Sequence, residues 1–436
     1  MNHNKTKTQT LFERRKKLVP DALGVFNPST AVKAKGSVIW DAEGRELIDF
    51  AGGIGVLNSG HNSDEVVKAI QKQAEKLIHT CFNVSLTEEY LELGEKLVQL
   101  FPHGENTKVM LTNSGAESVE NAIKIARMAT GKQGILAFTG AFHGRTMMAM
   151  SLTSKTKYKT NCGPFAPEVY RLEFPYYYRY GSGLSKDEYL KKQIQKLKDF
   201  FLYQASENQI AAVILELVQG EGGFTVMPKE YLDALRKICS EKNILIIVDE
   251  VQSGFGRTGK WASYQHYDFT PDISTWAKSM GGGMPIGAVI GKAEVMNKAH
   301  AGTIGGTYPG NPLCCAAALA NIKYMESVDI NSLGQKVGKK VREKFQYFKE
   351  KFNVIGDIRG IGAMLAIELV KNNDPTQPDA ELAANLIKLC EKKGLILISA
   401  GTFGNCIRVL SPLTIPENLL DKGLNILEEA FDELTS

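Results

Sequence analysis

The sequence predicts an α/β fold, a mainly parallel sheet with helices on both faces, followed by a smaller α+β domain. The first observation is that short apolar runs rich in β-branched residues alternate with longer helical patterns. These runs are KVMLT (108–112), GILAF (134–138), AAVIL (211–215), ILIIVD (244–249) and GAVIG (287–291). The second is that long helical stretches follow Ala320, with MLAIEL and IRVLSP as strand candidates between them. Ligands of such sheets bind at the carboxyl ends of the strands.

The changes in pattern also predict domain boundaries. Residues 1–60 contain a hairpin pattern, GSVIWDAEGRELIDF, with a turn at Ala42-Glu43-Gly44. This segment could pack with either domain, and we expect it on the small one. Residues 61–325 should form the large domain and residues 326–436 the small one. The stretch YRLEFPYYYRYGSG is predicted to be a surface excursion, because it lacks the basic and aromatic interleaving of single-strand nucleic-acid binders.

The composition argues against several classes of protein. The net charge is +4, from 52 basic and 48 acidic residues, which is too balanced to favour nucleic acid or a membrane as partner. Seven cysteines, an odd number without CxxC spacing, indicate neither a disulfide framework nor a metal site. The basic start has no apolar core of a secretory signal, and no run approaches the roughly 18 apolar residues of a membrane span. We therefore expect a cytoplasmic protein that acts on small, charged metabolites.

The stretch LTNSGAESVENAIKIARMATG follows a strand and opens a helix. Ser114 and Glu117 have the spacing of a capping box, so the start of this helix should present free backbone N–H groups. Gly115 would let a ligand approach that backbone, and the helix dipole favours an anion such as phosphate. An ordinary capped helix is the alternative.

The stretch ILIIVDEVQSGFGRTGK ends a buried strand with Asp249. Asp249 and Val251 should point to the same side, because side chains alternate along a strand. A structural ion pair is the alternative for this carboxylate, since a buried charge needs a partner. The same stretch has P-loop spacing up to Lys260, but Trp261 stands where Ser or Thr must bind magnesium. A nucleotide hydrolase, which ATP would stabilise, is therefore disfavoured.

Lys278 lies between an apolar strand and a glycine run in TWAKSMGGGMPIGAV. A buried lysine loses its charge readily, and its free amine is a nucleophile towards a carbonyl cofactor. The helix start, the strand-end carboxylate and this lysine supply an anchor for a phosphate, a partner for a pyridinium nitrogen and a partner for an aldehyde. These are the three fixtures that pyridoxal phosphate requires.

The chain resembles the class III, pyridoxal-phosphate-dependent aminotransferases over nearly its whole length. The matching motifs are DFAGGIGVLNSGH, HTCF, NSGAES, AFHGRT, ELVQGEGGF, DEVQSGFGRTG, WAKSMGGGMPIGAV, GGTYPGNP and IRVLSPLTIP. The resemblance implies fold type I, with a mainly parallel seven-stranded sheet in the large domain. It also implies the activity, the cofactor and the residues of the site.

The resemblance implies that the following residues hold the cofactor. They are Lys278, bound covalently to its aldehyde; Asp249, paired with the pyridinium nitrogen; Val251 and Phe142, packed on the ring; Gln252, at the ring hydroxyl; Gly115 and Ala116, at the phosphate; and Thr307, at the phosphate of a neighbouring subunit. A homodimer with shared sites follows from the role of Thr307, either alone or within a tetramer.

The resemblance also implies how substrates are selected. Arg145 and Arg408 match the two carboxylate-binding arginines of the family, and a guanidinium suits a bidentate grip on a carboxylate. Glu221 would neutralise Arg408 by an ion pair when a substrate with one carboxylate binds. Glu216 would support the side of the site near Arg145. Ile54 would contact the aliphatic chain of the substrate and disfavours ornithine, whose transaminases tend to have an aromatic residue there.

The implied reaction moves the amino group of an ω-amino acid, 4-aminobutyrate first, to 2-oxoglutarate, giving succinate semialdehyde and glutamate. A 5-aminovalerate or ornithine-type transaminase and a pyridoxal-phosphate-dependent amino-acid racemase are the alternatives. Arg145, Glu221 and Arg408 together favour transamination, because a racemase needs no oxo-acid acceptor. A scaffold without activity is disfavoured, because every catalytic position is filled.

Overall fold

The computed structural model of the protein describes residues 5–435. The strands are β1 Lys33–Lys35, β2 Val38–Trp40, β3 Glu46–Asp49, β4 Thr107–Thr112, β5 Gly134–Phe138, β6 Val169–Leu172, β7 Ile210–Leu215, β8 Val218–Gln219, β9 Thr225–Val226, β10 Leu245–Asp249, β11 Ile273–Trp276, β12 Gly287–Lys292, β13 Ile355–Ile361, β14 Met364–Leu369, β15 Leu395–Ile396, β16 Ile398–Ala400 and β17 Cys406–Val409.

The helices lie mostly between these strands. The α-helices are Lys7–Leu18, Asp64–Lys76, Glu88–Leu100, Gly115–Thr130, Met147–Leu152, Tyr177–Tyr180, Lys186–Tyr203, Lys229–Glu241, Ala293–Met296, Pro312–Ser327, Ile330–Lys351, Ala380–Lys392 and Glu417–Thr435, and the 3₁₀ turns are Thr156–Tyr158, Ser263–Tyr267 and Lys278–Gly281. Within residues 5–435, no helix is both long enough and apolar enough to cross a bilayer.

The large sheet has seven strands in the order β4-β12-β11-β10-β7-β5-β6. All neighbours are parallel except β12, which runs antiparallel to both β4 and β11. Every residue of β5 and β7 is buried, as expected for parallel strands that are covered on both faces. The prediction of a mainly parallel, seven-stranded α/β sheet is confirmed.

The helix Gly115–Thr130 packs on one face of this sheet. Val119, Ala122, Ile123 and Ala126 are buried at helical spacing, as the sequence predicts. The predicted capping box forms only half of its bonds. The Ser114 hydroxyl accepts from the Glu117 N–H, but the Glu117 carboxylate accepts from the N–H of Asn113 and not of Ser114. The first turn still presents its N–H groups towards the end of β4.

Besides the two-stranded sheet of β8 and β9, two four-stranded sheets lie beside the large one. One has the order β13-β14-β17-β16 and is antiparallel throughout. The other joins the β2–β3 hairpin, with its turn at Gly44 (φ +85°), to β15 by a parallel pairing of β3 with β15. The hairpin therefore packs with a strand from the last fifty residues, whereas the domain boundaries at 60 and 325 stay predictions.

The tyrosine-rich stretch is not a surface excursion, so that prediction is wrong. Val169–Leu172 forms the edge strand β6, and Phe174 is buried. The Tyr176 hydroxyl donates to Glu368 of β14, and Arg179 forms an ion pair with the same carboxylate. Tyrosine and arginine can bury their apolar parts when their polar ends find partners, which is why a polar composition misled the prediction.

The P-loop spacing does not form a phosphate loop. Gly254 to Gly259 lie in buried turns, and the 3₁₀ turn Ser263–Tyr267 follows them in place of an α-helix. Since a P-loop needs the N-terminus of a helix directly behind its glycines, this part of the chain offers no cradle for a nucleotide.

Candidate active site

A cavity of about 380 Å³ opens at the carboxyl ends of the parallel strands. The predicted site residues that line it are Gly115, Ala116, Phe142, Glu216, Glu221, Asp249, Val251, Gln252 and Lys278. They come from five separate stretches of the chain, which the sheet brings together. This volume lies within the range of pockets that hold small ligands.

Lys278 follows β11 and begins the 3₁₀ turn Lys278–Gly281, with a left-handed backbone (φ +48°). Its side chain is half-buried and lines the cavity. Burial lowers the pKa of its amine to about 8, against the raising effect of Glu221 and Asp249. A much larger fraction of this amine than of an exposed lysine is therefore unprotonated, and nucleophilic, near neutral pH.

This pKa makes the stability of the cofactor-free protein depend on pH. The unfolded chain holds the proton up to about pH 10.5, whereas the folded chain releases it near pH 8, so stability rises with pH between these values. At about 1.36 kcal/mol per pKa unit, the shift lowers the free energy of unfolding by about 3 kcal/mol below pH 8. Lys278→Met should therefore raise the melting temperature at neutral pH, with the gain vanishing near pH 10.5. An equal gain at every pH would contradict the lowered pKa.

Asp249 is the last residue of β10, and three donors hold its carboxylate. Oδ1 accepts from the Thr275 hydroxyl and the Val251 N–H, both at 3.1 Å, and Oδ2 lies 2.7 Å from His143 Nδ1. These bonds orient a negative charge at the cavity wall and leave it free to pair with a cation there. His143, which directly follows Phe142, is thereby tied to the carboxylate of Asp249.

The start of the helix Gly115–Thr130 forms another part of the wall. The N–H groups of Gly115 and Ala116 precede the first intrahelical bonds and are free for an anion. A Cβ on Gly115 would lie 2.9 Å from the methyl groups of Val251, so glycine is needed to let Val251 pack there. The sequence suggests that glycine is needed at position 115 so that a ligand can approach the backbone. The structure shows a different reason, which is the packing of Val251 against this position.

These residues fit pyridoxal phosphate. Gln252 Oε1 is buried and has no hydrogen-bond partner in the described chain, although a buried acceptor normally has one. The hydroxyl of a bound ring would satisfy it. The same cavity also contains an anion cradle, an oriented carboxylate and an amine with a low pKa, which are the fixtures that the cofactor needs.

Glu221 and Arg408 form an ion pair beside this cavity. Arg408 lies on β17 with its side chain fully buried, and its Nη2 is 2.7 Å from Glu221 Oε1. Burial tends to raise the pKa of Glu221, but the charge of Arg408 outweighs it and the pKa is lowered. The pair neutralises a buried arginine whose charge would otherwise be unbalanced.

Glu216 supports the walls through the backbone. Its carboxylate accepts from the N–H of Phe142 at 3.0 Å and of Gly220 at 2.9 Å, and burial raises its pKa. Phe142 lies three positions before Arg145, so any effect of Glu216 on Arg145 runs through this backbone bond. The Arg145 guanidinium itself lies outside the cavity, 4.7 Å from the centre of the Tyr158 ring.

Besides Arg145 and Arg408, two predicted residues do not line the cavity. Ile54 sits in a left-handed turn from Gly52 to Gly55 (φ +52° to +74°) and packs against the small cluster that contains Leu410. Thr307 lies on an exposed loop of its own chain. A role for Thr307 in the site of a second subunit stays a prediction.

Sequence reasoning did not find Tyr158 as a site residue. Its hydroxyl lies 3.4 Å from Glu221 Oε2, and its ring stacks under Arg145. The stretch SKTKYKT carries no motif, since this tyrosine reaches the site only through tertiary packing.

Comparisons with known proteins agree with this geometry. The family model described as aminotransferase class-III matches residues 24–431. The chain is 46% identical to a probable 4-aminobutyrate aminotransferase of Bacillus subtilis, over 95% of this chain and 96% of that protein. It is also 46% identical to a 5-aminovalerate aminotransferase of Pseudomonas aeruginosa, over 98% and 99% of the two chains. The solved structure of a PLP-bound amine transaminase from an uncultivated Pseudomonas species is similar at a TM-score of 0.88 and 29% identity, over 95% and 96% of the two chains.

Proposed function

Because the chain belongs to the class III aminotransferases, we propose that it transfers the amino group of an ω-amino acid, 4-aminobutyrate foremost, to 2-oxoglutarate with pyridoxal phosphate as cofactor. The products are succinate semialdehyde and glutamate. The observation that carries the proposal is the ion pair of Glu221 with Arg408 beside Lys278, because it equips one cavity for substrates with one or two carboxylates.

Pyridoxal phosphate, when bound, supplies an aldehyde that takes up the amino group and a ring that withdraws electrons. Lys278 Nζ then removes the proton from the substrate carbon that bears the nitrogen, and its pKa suits a base near neutral pH. Asp249 would keep a proton on the ring nitrogen of the bound cofactor. Gln252 and the N–H groups of Gly115 and Ala116 would fix the ring hydroxyl and the phosphate.

The two arginines would bind different carboxylates of the substrates. Arg145 would bind the carboxylate that 4-aminobutyrate and 2-oxoglutarate share. Arg408 would bind the second carboxylate of 2-oxoglutarate, which requires Glu221 to release it. With a donor that has one carboxylate, Glu221 stays on Arg408 and leaves no buried charge unpaired.

A spectral experiment tests the proposal. Protein loaded with the cofactor should show a visible absorption band that 4-aminobutyrate bleaches and 2-oxoglutarate restores. Bleaching by ornithine but not by 4-aminobutyrate would contradict the choice of donor. Conversion of one enantiomer of an amino acid to the other, without any oxo acid, would support the racemase.

The relative from Pseudomonas aeruginosa makes 5-aminovalerate a second candidate donor, because both relatives share the same identity with this chain. The two donors differ by one methylene, which binding can discriminate by only about 1–3 kcal/mol. The ratio of kcat/KM for the two donors decides between them.

Replacing Glu221 by glutamine should separate the two classes of substrate. The variant leaves Arg408 buried without its counter-charge whenever a donor with one carboxylate binds. We expect kcat/KM for 4-aminobutyrate to fall about 10- to 100-fold, as for the loss of one partner of a charged pair, with little change for glutamate. Equal losses for both substrates, measured in separate half-reactions, would argue against the switch.

A further inference from the structure

Tyr158 lies between the two predicted carboxylate sites. The Arg145 guanidinium stands 4.7 Å above the centre of its ring, and Phe142 meets the ring edge-on with 5.2 Å between centroids. At the other end of the side chain, the hydroxyl lies 3.4 Å from Glu221 Oε2. One side chain therefore touches a group from each site.

The two oxygens of Glu221 have different partners. Oε1 is 2.7 Å from Arg408, whereas Oε2 faces the Tyr158 hydroxyl at a distance near the limit of a hydrogen bond. Burial and the charge of Glu221 raise the pKa of Tyr158, so its hydroxyl keeps its proton and donates. The long distance leaves room for this bond to shorten when Glu221 moves away from Arg408.

The backbone of Glu221 is tethered, so its carboxylate moves by side-chain rotation. The Gly401 N–H donates to the Glu221 carbonyl at 2.9 Å, and Lys155 Nζ donates to the Gly401 carbonyl, also at 2.9 Å. The ammonium of Lys155 also favours the charged form of Glu221. The Tyr158 hydroxyl and the Lys155 ammonium therefore both lie close enough to act on the Glu221 carboxylate.

We infer that the Tyr158 hydroxyl is the second docking position of the Glu221 carboxylate, which Glu221 takes when a dicarboxylate substrate binds Arg408. Tyr158 is in this sense a positioning residue that determines specificity, and the inference rests on the proposed function. A buried carboxylate cannot leave one cation without another partner, since an unpaired buried charge is very costly. Tyr158, supported by Lys155, supplies that partner and lowers the cost of freeing Arg408.

This arrangement predicts an effect on only one half of the reaction. 4-Aminobutyrate reacts while Glu221 stays on Arg408 and does not need the second position. 2-Oxoglutarate and glutamate need it, because both of their carboxylates must be bound. Since the two half-reactions are separate in time, kcat/KM for each substrate reports its own half-reaction only.

Tyr158→Phe tests the inference, because it removes the hydroxyl and keeps the ring under Arg145. We expect kcat/KM for 2-oxoglutarate to fall about tenfold or more, the size of one hydrogen bond to a charged group, while kcat/KM for 4-aminobutyrate changes by less than about twofold. Calorimetric titration of the cofactor-loaded protein should show the same loss of affinity for glutarate and none for butyrate. Tyr158→Leu also removes the stacking on Arg145 and should therefore weaken the binding of both glutarate and butyrate.

The outcomes are distinguishable from a failure of the proposed function. Wild-type protein that exchanges no amino group with 4-aminobutyrate or glutamate would refute the function itself. The inference alone would be overturned if the wild-type protein is active but the folded Tyr158→Phe variant loses affinity for glutarate and butyrate equally. It would also be overturned if the variant loses affinity for neither ligand. Circular dichroism and the melting temperature establish that the variant is folded.

Discussion

Replacing Lys278 by alanine is expected to abolish transamination. The amine is enclosed at the cavity wall, and its pKa of about 8 suits it both to attack a carbonyl and to carry a proton. Its loss should reduce kcat by about 10⁴-fold, the upper range for a positioned acid–base group. The visible absorption band of the cofactor-loaded protein should shift in the same variant, because no amine then binds the aldehyde.

A matched control for this variant is Lys260→Ala. Lys260 Nζ donates to the Gln265 carbonyl at 2.7 Å and lies outside the cavity. Turnover of this variant should stay close to that of the wild type, which shows that removing an ammonium from this domain is not in itself damaging. Normal turnover in Lys278→Ala would refute the assignment of Lys278.

Asp249→Asn is expected to have the second-largest effect. The substitution preserves the shape of the side chain but removes the charge that, under the proposed function, would stabilise a protonated ring nitrogen. A pair of unit charges at 4 Å and an effective dielectric of 20 interacts by about 4 kcal/mol, so kcat/KM should fall about 10³-fold. Steady-state kinetics with saturating cofactor separates this loss from weaker cofactor binding.

Asp49→Asn is the control for replacing a buried carboxylate at a strand end. Asp49 ends β3, and its Oδ2 lies 2.8 Å from His61 Nε2, away from the cavity. This variant can lose stability, but it should retain kcat once it is folded. If both aspartate variants lose kcat equally, the effect of Asp249→Asn is structural and the proposed role is refuted.

The meeting of Asp249 and Lys278 in one cavity could be predicted from local sequence. Asp249 and Lys278 come directly after apolar runs, and a parallel sheet brings the ends of its strands to one edge, so their meeting in one cavity follows from strand order. The helix after β4 begins where the cap at Ser114 predicts. In each case, neighbouring residues carry the signal.

The parts that depend on distant packing were not predicted from the residues. The pairing of Glu221 with Arg408 joins positions 187 apart and was expected only through the resemblance to the family. His143 lies on a loop and Tyr158 ends the short 3₁₀ turn Thr156–Tyr158, and neither segment has a periodicity that shows which carboxylate the side chain reaches. The tyrosine-rich stretch was placed wrongly because Glu368, the partner that lets it be buried, lies far along the chain.

The parallel pairing of β3 with β15 has a consequence for synthesis on the ribosome. The strand at Glu46–Asp49 leaves the exit tunnel long before its partner, as the ion pair of Arg45 with Glu391, 346 residues apart, also illustrates. At about 5–20 residues per second, this interval lasts about 17–70 s. Throughout that time the edge of β3 that later pairs with β15 stays unpaired, and such an edge is a template for pairing with another chain.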